Sequence, residues 1–158
     1  MKHAKKGSNK NLSYIMRFGM TVLTVILIVL FFSIMIMVGQ IQGTARIVNY
    51  AGFVRGGTQR MVKLENAGQP QDKIRGTIAS YINGLQNGSD ELNFVRLDDN
   101  AFQNKMVELD EYFQKLTQEI DLVREKGYEN TDIISMSEKF FHICDEATGL
   151  AEDYSQKK

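Results

Sequence analysis

The sequence contains few of the residues that cross-link small domains or carry catalytic chemistry. Its 158 residues include no tryptophan, one proline, one cysteine and two histidines. Because Cys144 is the single cysteine, an internal disulfide is excluded and the fold must be held by side-chain packing. One thiol with one ring nearby in sequence, His142, is a weak pattern for a nucleophile, so we expect Cys144 to be a small buried side chain.

Acidic residues are absent from the N-terminal part of the chain. Residues 1–17 hold five basic residues, whereas all 19 acidic residues follow position 64. The part beyond residue 39 therefore combines the other 14 basic residues with 19 acidic ones, although the net charge of the whole chain is zero. This asymmetry indicates that the two ends of the chain face different surroundings.

A long uncharged apolar run separates these two parts. Residues 18–38 are 21 residues without a charge, and at ~1.5 Å per residue they span roughly 31 Å, the thickness of a bilayer's hydrocarbon core. A signal peptide shares this order, but the run exceeds the roughly 7 to 15 apolar residues of secretory signals and lacks a good cleavage site. We therefore predict a basic cytoplasmic tail at 1–17, a transmembrane helix at 18–39 and an extracytoplasmic domain at 40–158, anchored in the plasma membrane.

The predicted outer domain is all-α. Its apolar residues recur at helical rather than alternating spacing, and two stretches step by four and three residues in turn. The first stripe is Phe102, Met106, Leu109, Phe113, Leu116, Ile120 and Val123, and the second is Ile133, Ser137, Phe140, Cys144, Ala147, Ala151 and Tyr154. Each stripe predicts one long helix with a buried face.

Capping residues bound these two helices. The N-cap candidates are Asp98, Asp99 or Asn100 for the first helix and Asn130 or Thr131 for the second. Gly127 ends the first helix and leaves a turn of only a few residues, so the two helices must lie antiparallel.

Two more helices precede this pair. Gly68 closes the first one near Ala67, and Pro70 fits the first turn of the next. The apolar face of that next helix is Ile74, Ile78, Tyr81 and Leu85, and the loop that follows it at 86–98 is pinned by Leu92, Phe94, Val95 and Leu97. We therefore predict an N-terminal transmembrane helix that continues into an antiparallel, up-down four-helix bundle.

The first helix of the domain presents two stripes. The stripe that suits the core is Ile47, Ala51, Val54, Thr58 and Met61, and the neighbouring, more mixed stripe is Val48, Gly52, Arg55, Gln59 and Val62. Gly52, Gly56 and Gly57 each cost about 1 kcal/mol against alanine in a helix interior, so a compensating reason is expected. Close approach of a second chain would supply one.

Arg55 is the candidate ligand-binding residue of the mixed stripe. If two copies paired there, two guanidinium groups at ~6 Å would repel by roughly 3 kcal/mol at an effective dielectric constant of about 20. A small oxyanion between them would reverse the sign of this interaction. Alternatively, Arg55 and Arg60 pair with acidic residues of neighbouring helices, and the residue pattern alone leaves both possibilities open.

Residues 45–61, ARIVNYAGFVRGGTQRM, resemble the first-helix signature N-x-A-G-x-x-R-x-x-S/T-x-R of bacterial nitrate and nitrite sensor kinases and related pilus-type chemoreceptors. The matching residues are Asn49, Ala51, Gly52, Arg55, Thr58 and Arg60. The domain is also similar to sensor regions that precede diguanylate cyclase or histidine kinase output modules. This resemblance implies a homodimer in which Arg55 of each subunit binds a small anion at the interface. The other implied ligand-binding candidates are Asn49, Gly52, Thr58, Gln59 and Arg60.

The chain departs from this family at one point of the signature. Nitrate sensors have a bulkier pair after the arginine, where this chain has Gly56 and Gly57. The resemblance therefore implies a small anionic ligand without identifying it as nitrate. The sequence up to Lys158 contains no second span, relay or output module, so we expect the sensing half of a receptor, either a fragment or a stand-alone form.

Two functions are compatible with the sequence. The first is the signal-sensing domain of a bacterial transmembrane receptor, and the second is a structural membrane anchor or assembly adaptor whose glycine stripe packs against another protein. We expect no catalysis, metal or cofactor, since the sequence lacks a phosphate-binding loop, paired metal ligands and a nucleophile elbow. We also expect no nucleic-acid binding, because contact with anionic lipid explains the basic tail more simply.

Overall fold

The structure is a computed structural model that describes the backbone of residues 8–156 and the side chains of 12–39 and 45–156. The chain divides into two compact units, Met1–Gln40 and Ile41–Lys158. Most of the predicted basic tail, with its lysines, lies outside the residues whose side chains are described.

All the regular secondary structure of the described residues is helical. They form α1 (Ser8–Asn66), α2 (Asp72–Asn87), α3 (Asn100–Lys126), a short 3-10 helix (Tyr128–Asn130) and α4 (Ile133–Gln156). Within residues 8–156 there is no β-strand, only an isolated antiparallel bridge between Ser89 and Phe94. The all-α prediction is confirmed, but the described part of the chain has five helices rather than four.

The N-terminal unit contains one apolar helical segment. Residues Leu12–Gly39 of α1, 28 residues in all, are long and apolar enough to cross a membrane, and they include the predicted span at 18–39. The hydroxyl groups of Thr21, Thr24 and Ser33 each donate to the carbonyl oxygen four residues earlier, at 2.9 Å. Because these hydroxyls are satisfied within the helix, they add no uncompensated polarity to an apolar environment.

The second unit has one apolar core to which α1, α2, α3 and α4 all contribute. The inward stripe predicted for α1 is confirmed, since Ile47, Ala51, Val54, Thr58 and Met61 are at most 4% exposed. All seven positions of the predicted α3 stripe are buried, as are six of the seven on α4, where Tyr154 is half-buried. Periodic burial of this kind stabilises helices that would be marginal alone in water.

Neighbouring helices of this unit run antiparallel. Along α3 and α4, Lys105 Nζ lies 2.7 Å from Glu146 Oε2 near one end, whereas the backbone N–H of Asp132 donates to Glu119 Oε1 near the other. Phe53 precedes Gly57 on α1, but their partners on α2 come in the opposite order, since Phe53 packs against Tyr81 and Gly57 against Ile78. Arg124 of α3 forms ion pairs with Glu65 of α1 and with Asp72 of α2.

The ends of α3 match their predicted signals. The Asp99 carboxylate accepts a hydrogen bond of 2.8 Å from the backbone N–H of Phe102, so Asp99 is the N-cap. Gly127 follows the last residue of α3 with a φ of 77°, a left-handed conformation that glycine adopts at little cost.

Three local predictions were wrong. The helix α4 begins at Ile133 and is not capped by Asn130 or Thr131, because Asn130 belongs to the 3-10 helix and the Thr131 hydroxyl donates to Tyr128 O. The helix α2 begins after Pro70, at Asp72, since the Glu65 carboxylate holds the preceding N–H of Gln71 at 2.7 Å. In the 86–98 loop Phe94 and Leu97 are buried as expected, but Val95 is 67% exposed.

Candidate functional site

Arg55 lies on the side of α1 that faces α4. Its guanidinium group donates to the Asp145 carboxylate and lies over the ring of Phe141, 5.1 Å from the ring centroid. The two charged side chains are 35% and 59% exposed, so the ion pair is open to solvent. The guanidinium group of Arg55 therefore contacts one carboxylate and one aromatic face, and both belong to α4.

Gln59 of the mixed stripe also contacts α4. Gln59 Nε2 donates to Ser137 O at 3.2 Å and to Ser137 Oγ at 3.0 Å, while Val62 is only 5% exposed. Within one chain, therefore, the pairing of Arg55 with an acidic residue of a neighbouring helix is the arrangement present. Asp145 and Phe141 were not among the predicted site residues, although their spacing of four places them on one face of α4.

The six predicted site residues do not form one cluster. Arg55 and Gln59 contact α4, whereas Asn49 and Arg60 are exposed and Gly52 is half-buried. Thr58 is 0% exposed, and its hydroxyl has no hydrogen-bond partner among the described residues. A buried hydroxyl in this state costs free energy, and it cannot touch a ligand from the surface.

The glycines of α1 differ in what surrounds them. A methyl group added at Gly52 or Gly56 would meet no atom of the described residues within 4 Å, whereas one at Gly57 would lie 3.5 Å from the side chain of Ile78. This distance is an ordinary van der Waals contact, so packing against α2 does not require glycine at position 57. Gly52 and Gly56 leave open space over one turn of α1.

That open space belongs to a cavity between α1 and α2. The cavity has a volume of about 470 Å³ and its α1 side is formed by Gly52, Gly56 and Gly57. Phe53 and Ile74 supply apolar wall, and two cations, Arg60 and Lys73, stand on its opposite sides. No acidic residue lines it, which distinguishes this cavity from the Arg55 and Asp145 pair.

The one thiol of the chain is unreactive in this fold. Cys144 is 1% exposed, and burial raises the pKa of its thiol to about 12. The nearby Arg55 lowers this pKa without overcoming the effect of burial. Since the thiolate is the nucleophilic form, Cys144 acts as a small apolar side chain at neutral pH, as predicted. No group of three metal-ligating side chains occurs in the described part of the chain.

Comparison of the chain with protein-family models, with curated proteins and with solved structures gives no match. The resemblance of residues 45–61 to nitrate and nitrite sensors therefore stays a prediction based on the signature residues alone.

Proposed function

We propose that the chain is the membrane-anchored, extracytoplasmic sensing domain of a bacterial transmembrane receptor of the histidine kinase, diguanylate cyclase or chemoreceptor type. In this proposal the apolar segment of α1 is the anchor and residues 40–158 are an antiparallel four-helix bundle that works as a homodimer. The bundle binds a small oxyanion at Arg55 and performs no catalysis itself.

The observation that supports this proposal is the solvent exposure of the ion pair between Arg55 and Asp145. An ion pair between solvent-exposed side chains contributes only about 0 to 1 kcal/mol, so Asp145 can be displaced at small cost. A dissolved oxyanion would form a charge-assisted contact of the same kind with the guanidinium group of Arg55. An anion from solution can therefore compete with Asp145 for Arg55.

The same exchange supplies a switch. While Arg55 binds Asp145, the pair links α1 to α4, and an oxyanion on Arg55 removes that link. The Gln59 contact with Ser137 lies one turn further along α1 and would persist as a pivot. A ligand that binds one arrangement of α1 and α4 more tightly than the other shifts the population between them.

A second copy of the chain fits the open face of α1. Gly52 and Gly56 are one helical turn apart, and no side chain of their own chain covers them. Small residues at this spacing allow two helix backbones to approach closely. The same open face also favours the second candidate, an adaptor that packs against a different protein and binds no small ligand.

We expect Arg55→Ala to abolish stabilisation of the protein by oxyanions. The full chain in lipid nanodiscs is unfolded by heat in a calorimeter, with nitrate, sulfate or phosphate replacing chloride at constant ionic strength. For the wild type, an oxyanion at about ten times its Kd should raise the free energy of unfolding by about 1.4 kcal/mol. The Arg55→Ala variant loses the oxyanion contact and should show no rise.

Arg75→Ala is the matched control. Arg75 pairs with Asp121 at 2.9 Å, and the two side chains are 30% and 52% exposed, so this pair resembles that of Arg55 but joins α2 to α3. Its loss should leave the oxyanion response unchanged. If no oxyanion stabilises the wild type, or if both arginine variants respond alike, the sensing proposal is wrong and the adaptor is favoured.

A further inference from the structure

We propose that the cavity between α1 and α2 binds a small organic carboxylate with an apolar, ring-sized body. This site shares none of its lining residues with the Arg55 and Asp145 pair, which joins α1 to α4. The proposal therefore does not depend on oxyanion binding at Arg55.

The size and floor of the cavity suit a small organic molecule. Its volume of about 470 Å³ falls within the ~300 to 1,000 Å³ typical of ligand pockets. The floor at Gly52 and Gly56 is bare backbone, and added Cβ atoms would point into empty space. Because each glycine costs about 1 kcal/mol against alanine, the chain gives up helix stability to keep this volume open.

The charges around the cavity select an anion. Arg60 on α1 and Lys73 on α2 both line it, and neither forms an ion pair with any residue of 45–156. No carboxylate in the lining offsets them. An anionic group placed between the two helices can therefore accept charge-assisted hydrogen bonds from both cations.

The apolar part of the lining selects an organic body over a simple inorganic ion. Phe53 and Ile74 supply it, and the Phe53 ring is held edge-on against Tyr81 with the ring centroids 5.2 Å apart. Although Phe53 is packed on that side, it is 52% exposed, so about half of its surface is accessible to a ligand. An apolar body with a carboxylate would cover this surface and leave the charge at Arg60 and Lys73.

A second copy of the chain packed on Gly52 and Gly56 would not replace the anionic ligand of the cavity. A symmetric contact uses the same patch on both subunits, so a contact centred here would bring Arg60 and Lys73 of one copy against those of the other. The four cations would repel one another without any acidic residue of the lining to offset them.

Ligand-observed fluorine NMR tests this proposal. The full chain in nanodiscs of zwitterionic lipid is titrated with fluorophenylpropionate, with fluorophenylpropanol and fluoropropionate as controls and empty nanodiscs as the blank. We expect protein-dependent line broadening for the carboxylate with a ring, and at least about tenfold weaker binding for the uncharged alcohol and for the carboxylate without a ring.

Variants of the lining separate specific binding from partition into lipid. Gly56→Leu places a side chain in the cavity, where its Cβ meets no described atom within 4 Å, and it should remove the broadening. Replacing Arg60 and Lys73 together by glutamine should weaken binding by at least about tenfold. Lys63→Gln, an exposed cation of α1 outside the lining, is the matched control and should have no effect.

Three results would overturn the proposal. The first is no broadening by fluorophenylpropionate up to about 10 mM, which covers a Kd of ~1 mM. The second is broadening that Gly56→Leu leaves unchanged. The third is a loss of self-association in Gly56→Leu while the wild type binds no probe, which would assign the cavity to a second copy of the chain.

Discussion

Replacing Glu65 by alanine should lower the free energy of unfolding by about 2 to 3 kcal/mol, because hydrogen bonds to a buried charged group contribute about 1.5 to 3 kcal/mol each, whereas Arg124 is 29% exposed and can be rehydrated in part. The Glu65 side chain is 1% exposed and accepts from Arg124 Nε at 2.9 Å and from Arg124 Nη2 at 2.7 Å. It also accepts from the backbone N–H of Gln71 at 2.7 Å. One carboxylate thus joins the end of α1, the start of α2 and the end of α3, and its removal leaves all three donors without this acceptor.

Asp72→Ala is the matched control for Glu65→Ala. Asp72 accepts from the same Arg124 Nη2 at 2.8 Å, but its side chain is 73% exposed, so water can replace the lost contact. We expect its removal to cost less than about 1 kcal/mol. Urea unfolding of the full chain in nanodiscs, followed by tyrosine fluorescence, measures both variants. Equal losses for the two would show that burial of Glu65 does not strengthen this contact.

Phe140→Ala should cost about 3 to 5 kcal/mol, the range for removing a fully buried phenylalanine ring. Phe140 is 0% exposed, and its ring centroid lies 5.7 Å from that of Phe113 and 6.4 Å from that of Tyr112. The substitution removes these ring contacts and leaves a cavity between α3 and α4. Surrounding side chains can collapse into it only in part, because both helices are fixed by further buried residues.

The neighbouring residue provides the control for this substitution. Phe141 is half-buried, and its ring contacts the guanidinium group of Arg55 and, edge to face, the ring of His142. Since an exposed cation–π contact contributes about 0.5 to 1 kcal/mol, Phe141→Ala should cost about 1 kcal/mol in the same urea experiment. If Phe141→Ala destabilises the protein as much as Phe140→Ala does, the assignment of the core face of α4 is wrong.

The helices and their buried faces could be predicted from the sequence because local spacing determines them. Phe102 and Ile120, like the other five residues of the α3 stripe, recur every three or four residues, and no other secondary structure buries such a pattern on one side. The inward stripe of α1 follows the same rule. Glycine at 127 and aspartate at 99 mark helix ends for equally local reasons.

The orientation of the mixed stripe could not be predicted in this way. Helical spacing gives the angle of Arg55 around α1, but it does not say whether α4 or a second chain lies at that angle. Asp145 is 90 residues away in sequence, so its contact with Arg55 depends on how the helices are arranged. The cavity between α1 and α2 is likewise non-local, since Arg60 and Lys73 come from different helices.

The start of α4 was missed for a different reason. Asn130 and Thr131 both have the chemistry of an N-cap, but the same chemistry also closes a 3-10 turn, and Asn130 Nδ2 donates to Lys126 O at 2.9 Å. The sequence offers the same side chains to two competing local structures. In the structure both side chains donate to carbonyl oxygens at or just before the 3-10 helix.

The sensing proposal requires that an oxyanion and Asp145 compete for Arg55. The most direct test is calorimetric titration of the full chain in nanodiscs with the oxyanion that stabilises the wild type most, comparing the wild type with Asp145→Asn. Removing the competing charge should tighten oxyanion binding by about fivefold, the equivalent of an exposed ion pair, while Asp121→Asn should leave it unchanged. Unchanged or weaker binding by Asp145→Asn would contradict the proposal.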